Sequence, residues 1–230
     1  MVLIAQIAEP PSPEPINSPA LAKLEQFFSR YTSQTYDKGE RILRENETPS
    51  GIYLIKEGIV RTYLISEQGT EFTAFMKKAN AIFPLRWAVD LQPNVHNYQA
   101  MTAVILWRAP REAFLAFLQQ NSDVLMELVS HLSFEVSALI YRMQHLVFGN
   151  AQAKVASVVL TAARRFGDGG VGKITVQVPL THQQIADSAG ISRETASLEM
   201  KKLKEEGIIS YKGRTIVIHD PDRLSQVCFL

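Results

Sequence analysis

The chain has 230 residues, 46% hydrophobic and 20% charged, with a formal net charge of +1. That length and mixture suit a globular protein with room for two domains. The single cysteine, Cys228, excludes an internal disulfide and a thiolate-ligated cluster, and fits a reducing, cytoplasmic setting.

The N-terminal stretch "MVLIAQIAEPPSPEP" lacks a basic region before its apolar residues, so no signal peptide is expected. Its Pro-rich half reads as a disordered arm over residues 1–19. No apolar run approaches the roughly 18 to 20 residues of a membrane helix, so no membrane partner is expected. Residues 20–31, "ALAKLEQFFSRY", read as a short amphipathic helix.

From Tyr36 to about Arg108 the rhythm is that of short strands. "GIYLIKEGIVRTYLIS" alternates through Ile52 and Leu54, breaks at Gly58 and resumes with Val60, Tyr63 and Ile65. "SEQGTE" at 66–71 is a hairpin signal with Gly69 at its turn. "FTAFM" and "NYQAMTAVILWRAP" continue the pattern, which predicts a β-barrel or sandwich over residues 20–120.

Residues 111–148 change period. Leu125, Leu132, Leu139 and Leu146 recur every seven residues, and Val129, Val136 and Met143 fall four after the first three. This a/d ladder predicts a helix, residues 121–149, that pairs with a second copy in a homodimer; the alternative is a helix burying its stripe on its own β-domain. Gly149-Asn150 reads as a hinge. A helix "AQAKVASVVLTAARRF", a flexible loop "GDGGVG" and a strand "KITVQV" ended by Pro179 follow.

"THQQ" at 181–184 is a capping box that opens the helix "HQQIADSA". Gly190 supplies a left-handed turn and Ser192 an N-cap for a second helix. Ile185, Ala189, Ile191, Ala196 and Leu203 are spaced to pack the two helices together, with small Ala186 allowing close approach. "GIISYKGRTIVIHD" adds two β-rich runs around Lys212-Gly213, a hairpin wing. Residues 150–230 therefore read as a winged helix-turn-helix whose partner is double-stranded DNA. Charge agrees: residues 1–149 hold 13 Lys/Arg and 15 Asp/Glu, net −2, while residues 150–230 hold 11 and 8, net +3.

In such a unit the first turn of the second helix, 192–204, enters the major groove. Arg193 suits a bidentate pair with guanine O6/N7, and Glu194 suits cytosine N4. Thr181, Gln183, Ser192 and Thr195 are short donors suited to phosphates, and Lys201 and Arg214 add charge. An enzyme is not expected: no nucleophile elbow, Walker loop or HExxH string is present, and "GDGGVG" lacks a following Lys-Thr.

The β-rich domain, heptad helix, hinge and wing, in that order, resemble the cyclic-AMP receptor protein and fumarate-nitrate regulator (Crp/Fnr) superfamily. The resemblance covers roughly residues 20–225 and is densest in "YDKGERILRENETPSGIYLIKEGIVR", "THQQIADSAGISRETASLEMKKLKEEGII" and "GRTIVIHD". It implies an α+β fold: a cyclic-nucleotide-binding-like β-roll (jelly roll), a long dimerisation helix and a C-terminal winged helix-turn-helix. It also implies a dimeric transcription regulator that binds inverted repeats and recruits RNA polymerase. "SRET" implies that Arg193 and Glu194 read a G·C-containing half-site of the TGTGA type. Leu198 stands where the family often has a second reading Arg, and Glu199 where an apolar residue is common, so an altered site is expected.

Cyclic-nucleotide binders in the family hold the ribose with a Gly-Glu pair and the phosphate with Arg-Ser or Arg-Thr. Here Phe83-Pro84 and Asn94-Val95 occupy those places. Losing one buried charge-assisted partner costs roughly 1.5–3 kcal/mol, so no cyclic-AMP binding is expected and no cofactor or metal is predicted. Arg86 is the remaining candidate phosphate partner. The alternative is a sensor whose β-roll takes an unidentified small effector, lined by Phe83, Leu85, Trp87, Tyr98 and Trp107, or a haem on His96.

Overall fold

The computed structural model describes residues 18–169 and 172–228. The expected Pro-rich arm lies, up to residue 17, outside the described residues. The chain divides into two compact units whose border falls between Ser133 and Phe134.

The N-terminal unit begins with α1 (Ser18–Phe28), followed by eight strands: β1 (Thr32–Tyr36), β2 (Arg41–Leu43), β3 (Ile52–Glu57), β4 (Val60–Ile65), β5 (Glu71–Lys77), β6 (Ile82–Phe83), β7 (Asn97–Ala100) and β8 (Val104–Ala109). A short helix α2 (Leu85–Asp90) sits between β6 and β7, and α3 (Arg111–Gln120) closes the roll. The strands form two four-stranded sheets, ordered β1-β8-β3-β6 and β2-β7-β4-β5. Every pairing is antiparallel. The first strand starts at Thr32, just after α1 and earlier than the sequence rhythm suggests.

Strand β3 explains the two cores. Ile52 and Leu54 pack against α1 and α3, with Leu24, Phe28 and Phe114. Tyr53 and Ile55 point the other way, into the space between the sheets with Val60, Phe83, Tyr98 and Leu106. The expected alternation of apolar with polar or boundary positions is absent from Ile52 to Ile55 because this central strand is covered on both faces.

Helix α4 (Ser122–Phe148) crosses the border between the units. Asn121 separates it from α3, its Nδ2 donating to Phe117 O at 2.8 Å. Val124 and Leu128 bury into the core beside α1, and Lys23 pairs with Asp123 at 2.6 Å. The heptad ladder faces solvent: Leu125, Val129, Leu132, Val136, Leu139 and Met143 are 37–57% exposed, and Leu146 is half-buried. By length and composition α4 is long and apolar enough to cross a membrane. Its unbroken apolar runs are nonetheless short, as read from the sequence. Ser, Gln and His residues interrupt the runs. Glu127, Glu135 and Arg142 interrupt the apolar surface, which is therefore not apolar all round as a lipid-embedded helix is.

The C-terminal unit contains the end of α4, then α5 (Ala151–Phe166), β9 (Gly167–Asp168), β10 (Ile174–Val176), α6 (His182–Ala189), α7 (Arg193–Glu205), β11 (Ile209–Lys212), β12 (Thr215–Ile218) and α8 (Pro221–Val227). At the expected hinge, Gly149-Asn150 separates α4 from α5. Asn150 caps α5 by accepting from Ala153 N, and a Cβ on Gly149 would lie 2.5 Å from His145 O. "GDGGVG" is not all loop: Gly167–Asp168 pairs with Thr175 and Val176, while residues 170–171 lie outside the described residues. One sheet of order β11-β12-β10-β9 backs the helices. Cys228 is buried, its Sγ 3.4 Å from Leu224 O.

Candidate nucleic-acid interface

Local chemistry sets both ends of the two-helix unit. Thr181 Oγ1 accepts from Gln184 N at 3.2 Å, and Thr181 N donates to Gln184 Oε1 at 2.9 Å, a complete capping box. Gly190, at φ 63°, takes the left-handed turn and donates its N–H to Ala186 O. Ser192 then caps α7 by accepting from Thr195 N at 3.1 Å. Ile185, Ala186, Ala189, Ala196, Met200 and Leu203 are buried, and Ile191 is half-buried.

The opposite face of α7 is open. Arg193, Glu194, Ser197, Leu198, Lys201 and Lys204 line a shallow groove of about 590 Å³, completed by His182 and Tyr211. Arg193 and Glu194 are fully outside the core. The Glu194 carboxyl is held below the usual carboxylate range by hydrogen bonds from its own backbone N–H and the Ser192 hydroxyl, then by Arg193. It stays an acceptor at neutral pH. Lys201 and Arg214 are exposed, Lys201 lying 3.6 Å from Glu205.

The short donors are less free than their sequence positions imply. Thr181 Oγ1 also lies 3.1 Å from Gln184 Oε1, which takes its proton. The Ser192 and Thr195 hydroxyls bond each other at 3.0 Å. Gln183 Nε2 donates to Asp187 Oδ1 at 2.7 Å and keeps a second N–H. Among these four, Gln183 retains the clearest unspent donor.

His182, Ser197, Lys204 and Tyr211 escape a reading of the sequence. Ser197, Lys201 and Lys204 share the Arg193 face through helical rows of three and four. Tyr211 comes from β11, and its hydroxyl lies 3.3 Å from His182 Nε2. Glu199 is a second surprise. It is buried on α7, paired with Lys202 at 2.8 Å, and its Oε2 has no partner.

Phe83 and Asn94, two of the four residues expected at the effector positions, are engaged within the chain itself. Phe83 stacks between Tyr53 and Tyr98, with ring centroids 5.3 and 4.6 Å away. Asn94 is buried and staples its loop, donating to Arg44 O at 2.7 Å and to His96 O at 2.6 Å. Pro84 precedes α2, and Val95 is exposed. The five residues suggested as one apolar lining do not gather: Phe83 and Tyr98 lie between the sheets, whereas Leu85, Trp87 and Trp107 pack on the α1 side. Arg86 is exposed and pairs with Asp90 at 3.4 Å. Burial, then Lys77, holds His96 below the usual histidine range. Among the described residues no group of three or more His, Cys, Asp or Glu is placed to hold a metal.

Two family profiles match this layout. The Crp-like helix-turn-helix domain matches residues 153–227, and the cyclic nucleotide-binding domain matches residues 33–121. The chain belongs to the Crp/Fnr superfamily. This Crp/Fnr protein is a transcription regulator with a helix-turn-helix DNA-binding domain, and its relatives are regulators, not enzymes. It is 26% identical over 195 residues to the global nitrogen regulator of Synechocystis sp., covering 84% of this chain and 87% of that one. It is 25% identical over 197 residues to the cAMP-activated global transcriptional regulator CRP of Salmonella typhimurium, covering 85% and 93%. The fold is similar to a CooA variant from Carboxydothermus hydrogenoformans, with a TM-score of 0.74 at 23% identity over 88% of this chain and 90% of that one. It is also similar to FixK2 from Bradyrhizobium japonicum, with a TM-score of 0.73 at 23% identity over 85% and 96%.

Proposed function

We propose that this Crp/Fnr regulator is a cytoplasmic homodimer that reads an inverted repeat in duplex DNA. Residues 121–149 serve as its dimerisation helix and residues 150–230 as its DNA-binding domain. The single observation that carries the reading is the split of α7. Ala196, Met200 and Leu203 are buried, while Arg193 and Glu194 stand exposed on its first turn. Arg193 donates to guanine O6/N7 and Glu194 accepts from cytosine N4, each good contact being worth roughly 1–3 kcal/mol of discrimination. Gln183, Lys201 and Arg214 hold phosphates, joined by Thr181, Ser192 and Thr195 where their shared protons reorient.

The solvent-facing ladder of α4 supports pairing with a second copy, because exposed leucine and valine at heptad spacing gain most from an identical stripe. A two-fold pair places its half-sites about 34 Å apart. The β-roll does not respond to cyclic AMP. An aromatic stack occupies the Phe83 position, and Asn94 spends its amide on two carbonyls. RNA polymerase is the onward partner.

Selection of bound sequences from a random duplex pool tests the reading, followed by gel shifts with Arg193→Ala. An inverted repeat with a G·C pair that loses its preference in the variant is the expected result. Base-indifferent binding, or no change in the variant, overturns it.

A further inference from the structure

Leu198 is 53% exposed, on a face whose other members are Arg193, Glu194, Ser197, Lys201 and Lys204. It does not belong to the buried stripe of α7. It lies two positions after Ala196 and two before Met200, about 200° round the helix from each. It lies five positions after Arg193, a rise of about 7.5 Å along α7. The residue therefore sits in the middle of the polar face with no apolar neighbour on its own helix surface.

A leucine can make neither a hydrogen bond nor an ion pair with a base. In the major groove one base edge carries an apolar group, the thymine C5-methyl. We propose that Leu198 is a specificity-determining residue that selects thymine at one position of each half-site by packing on that methyl. This rests on the placement of α7 in the major groove proposed above. A guanine or cytosine at the same position would lose water from its polar edge and gain no partner, so it is rejected. A 5-methylcytosine presents the same methyl and is accepted better than cytosine.

The test uses the full-length protein and a duplex recovered from the random pool. Each thymine is replaced in turn by uracil, which removes the methyl and leaves pairing and every hydrogen-bonding group in place. One uracil in each half-site removes two methyl groups and is expected to weaken wild-type binding about fifteenfold, the transfer of one methyl group from water at each half-site. Leu198→Ala is expected to bind the thymine and uracil duplexes alike while still depending on Arg193. If wild type prefers its selected site yet ignores every uracil, the thymine contact is wrong and the groove placement stands. A uracil effect that survives in Leu198→Ala assigns the methyl to another residue and equally overturns the proposal. Absence of any base preference removes the groove placement and the thymine contact together.

Discussion

Arg142 Nη2 on α4 donates to Ser188 O on α6 at 2.5 Å. Ser188 is in the last turn of a helix, where carbonyls lack an intrahelical donor. The bond ties the end of the long helix to the first helix of the DNA-binding pair. Burial, then Arg165, lowers the Arg142 guanidinium to about 10, so it is still charged at neutral pH. Arg142→Met leaves that carbonyl without this donor. It should cost about 1–3 kcal/mol, read as a lower midpoint in urea and faster amide exchange in α6.

Acid should weaken the C-terminal unit through His145. Burial holds this imidazole below the usual range, partly offset by a hydrogen bond with the Cys228 backbone. The unfolded chain therefore binds the proton first, and stability rises with pH across the window between the two values. Full stability is present above the ordinary value of about 6.5 and is lost as pH falls below it. His96 acts with the same sign in the N-terminal unit. Thermal melts between pH 7 and 5 should fall for wild type, and less steeply for His145→Gln.

Glu199 should prove dispensable for folding. Its side chain is only 7% exposed, and Oε2 has no partner to repay its desolvation. Glu199→Leu should stabilise by about 1–2 kcal/mol. Lys202→Ala, which strips the carboxylate of its cation, should destabilise. Urea midpoints for the two variants should move in opposite directions.

The α4 seam can be broken without touching a core. Val136 is 57% exposed in the single chain. Val136→Glu keeps a good helix former there and places a charge in the proposed seam. Sedimentation should show a monomer, with affinity for the inverted repeat reduced roughly 10²–10⁴-fold by lost bivalency. Far-ultraviolet circular dichroism should be unchanged.

Arg214 is exposed at the tip of the wing hairpin beside Gly213. Arg214→Ala should weaken binding about equally across sequences and reduce the slope of log affinity against log salt by about 1 per subunit. Titrations at several salt concentrations check it.

The helix-turn-helix is legible in the sequence because its determinants are local. The Thr181–Gln184 box, the Gly190 turn and the Ser192 cap each lie within four residues of their partners. The α4 ladder is legible for the same reason. What escapes depends on chain-distant contacts. Phe83 stacks on Tyr53 and Tyr98, and only the pairing of the two sheets reveals that it fills the interior. Tyr211 reaches His182 across 29 positions, and Arg142 reaches Ser188 across 46. Glu199 escapes for another reason: a carboxylate at a helical position normally marks solvent, and here burial overrides that preference.

The burial of Cys228 leaves the folded surface without a native sulfhydryl for alkylating reagents. A thiol engineered anywhere outside is then the sole reactive one. A cysteine placed at Leu132 would report on copy-to-copy proximity by oxidative cross-linking, with no background from the wild-type sulfur.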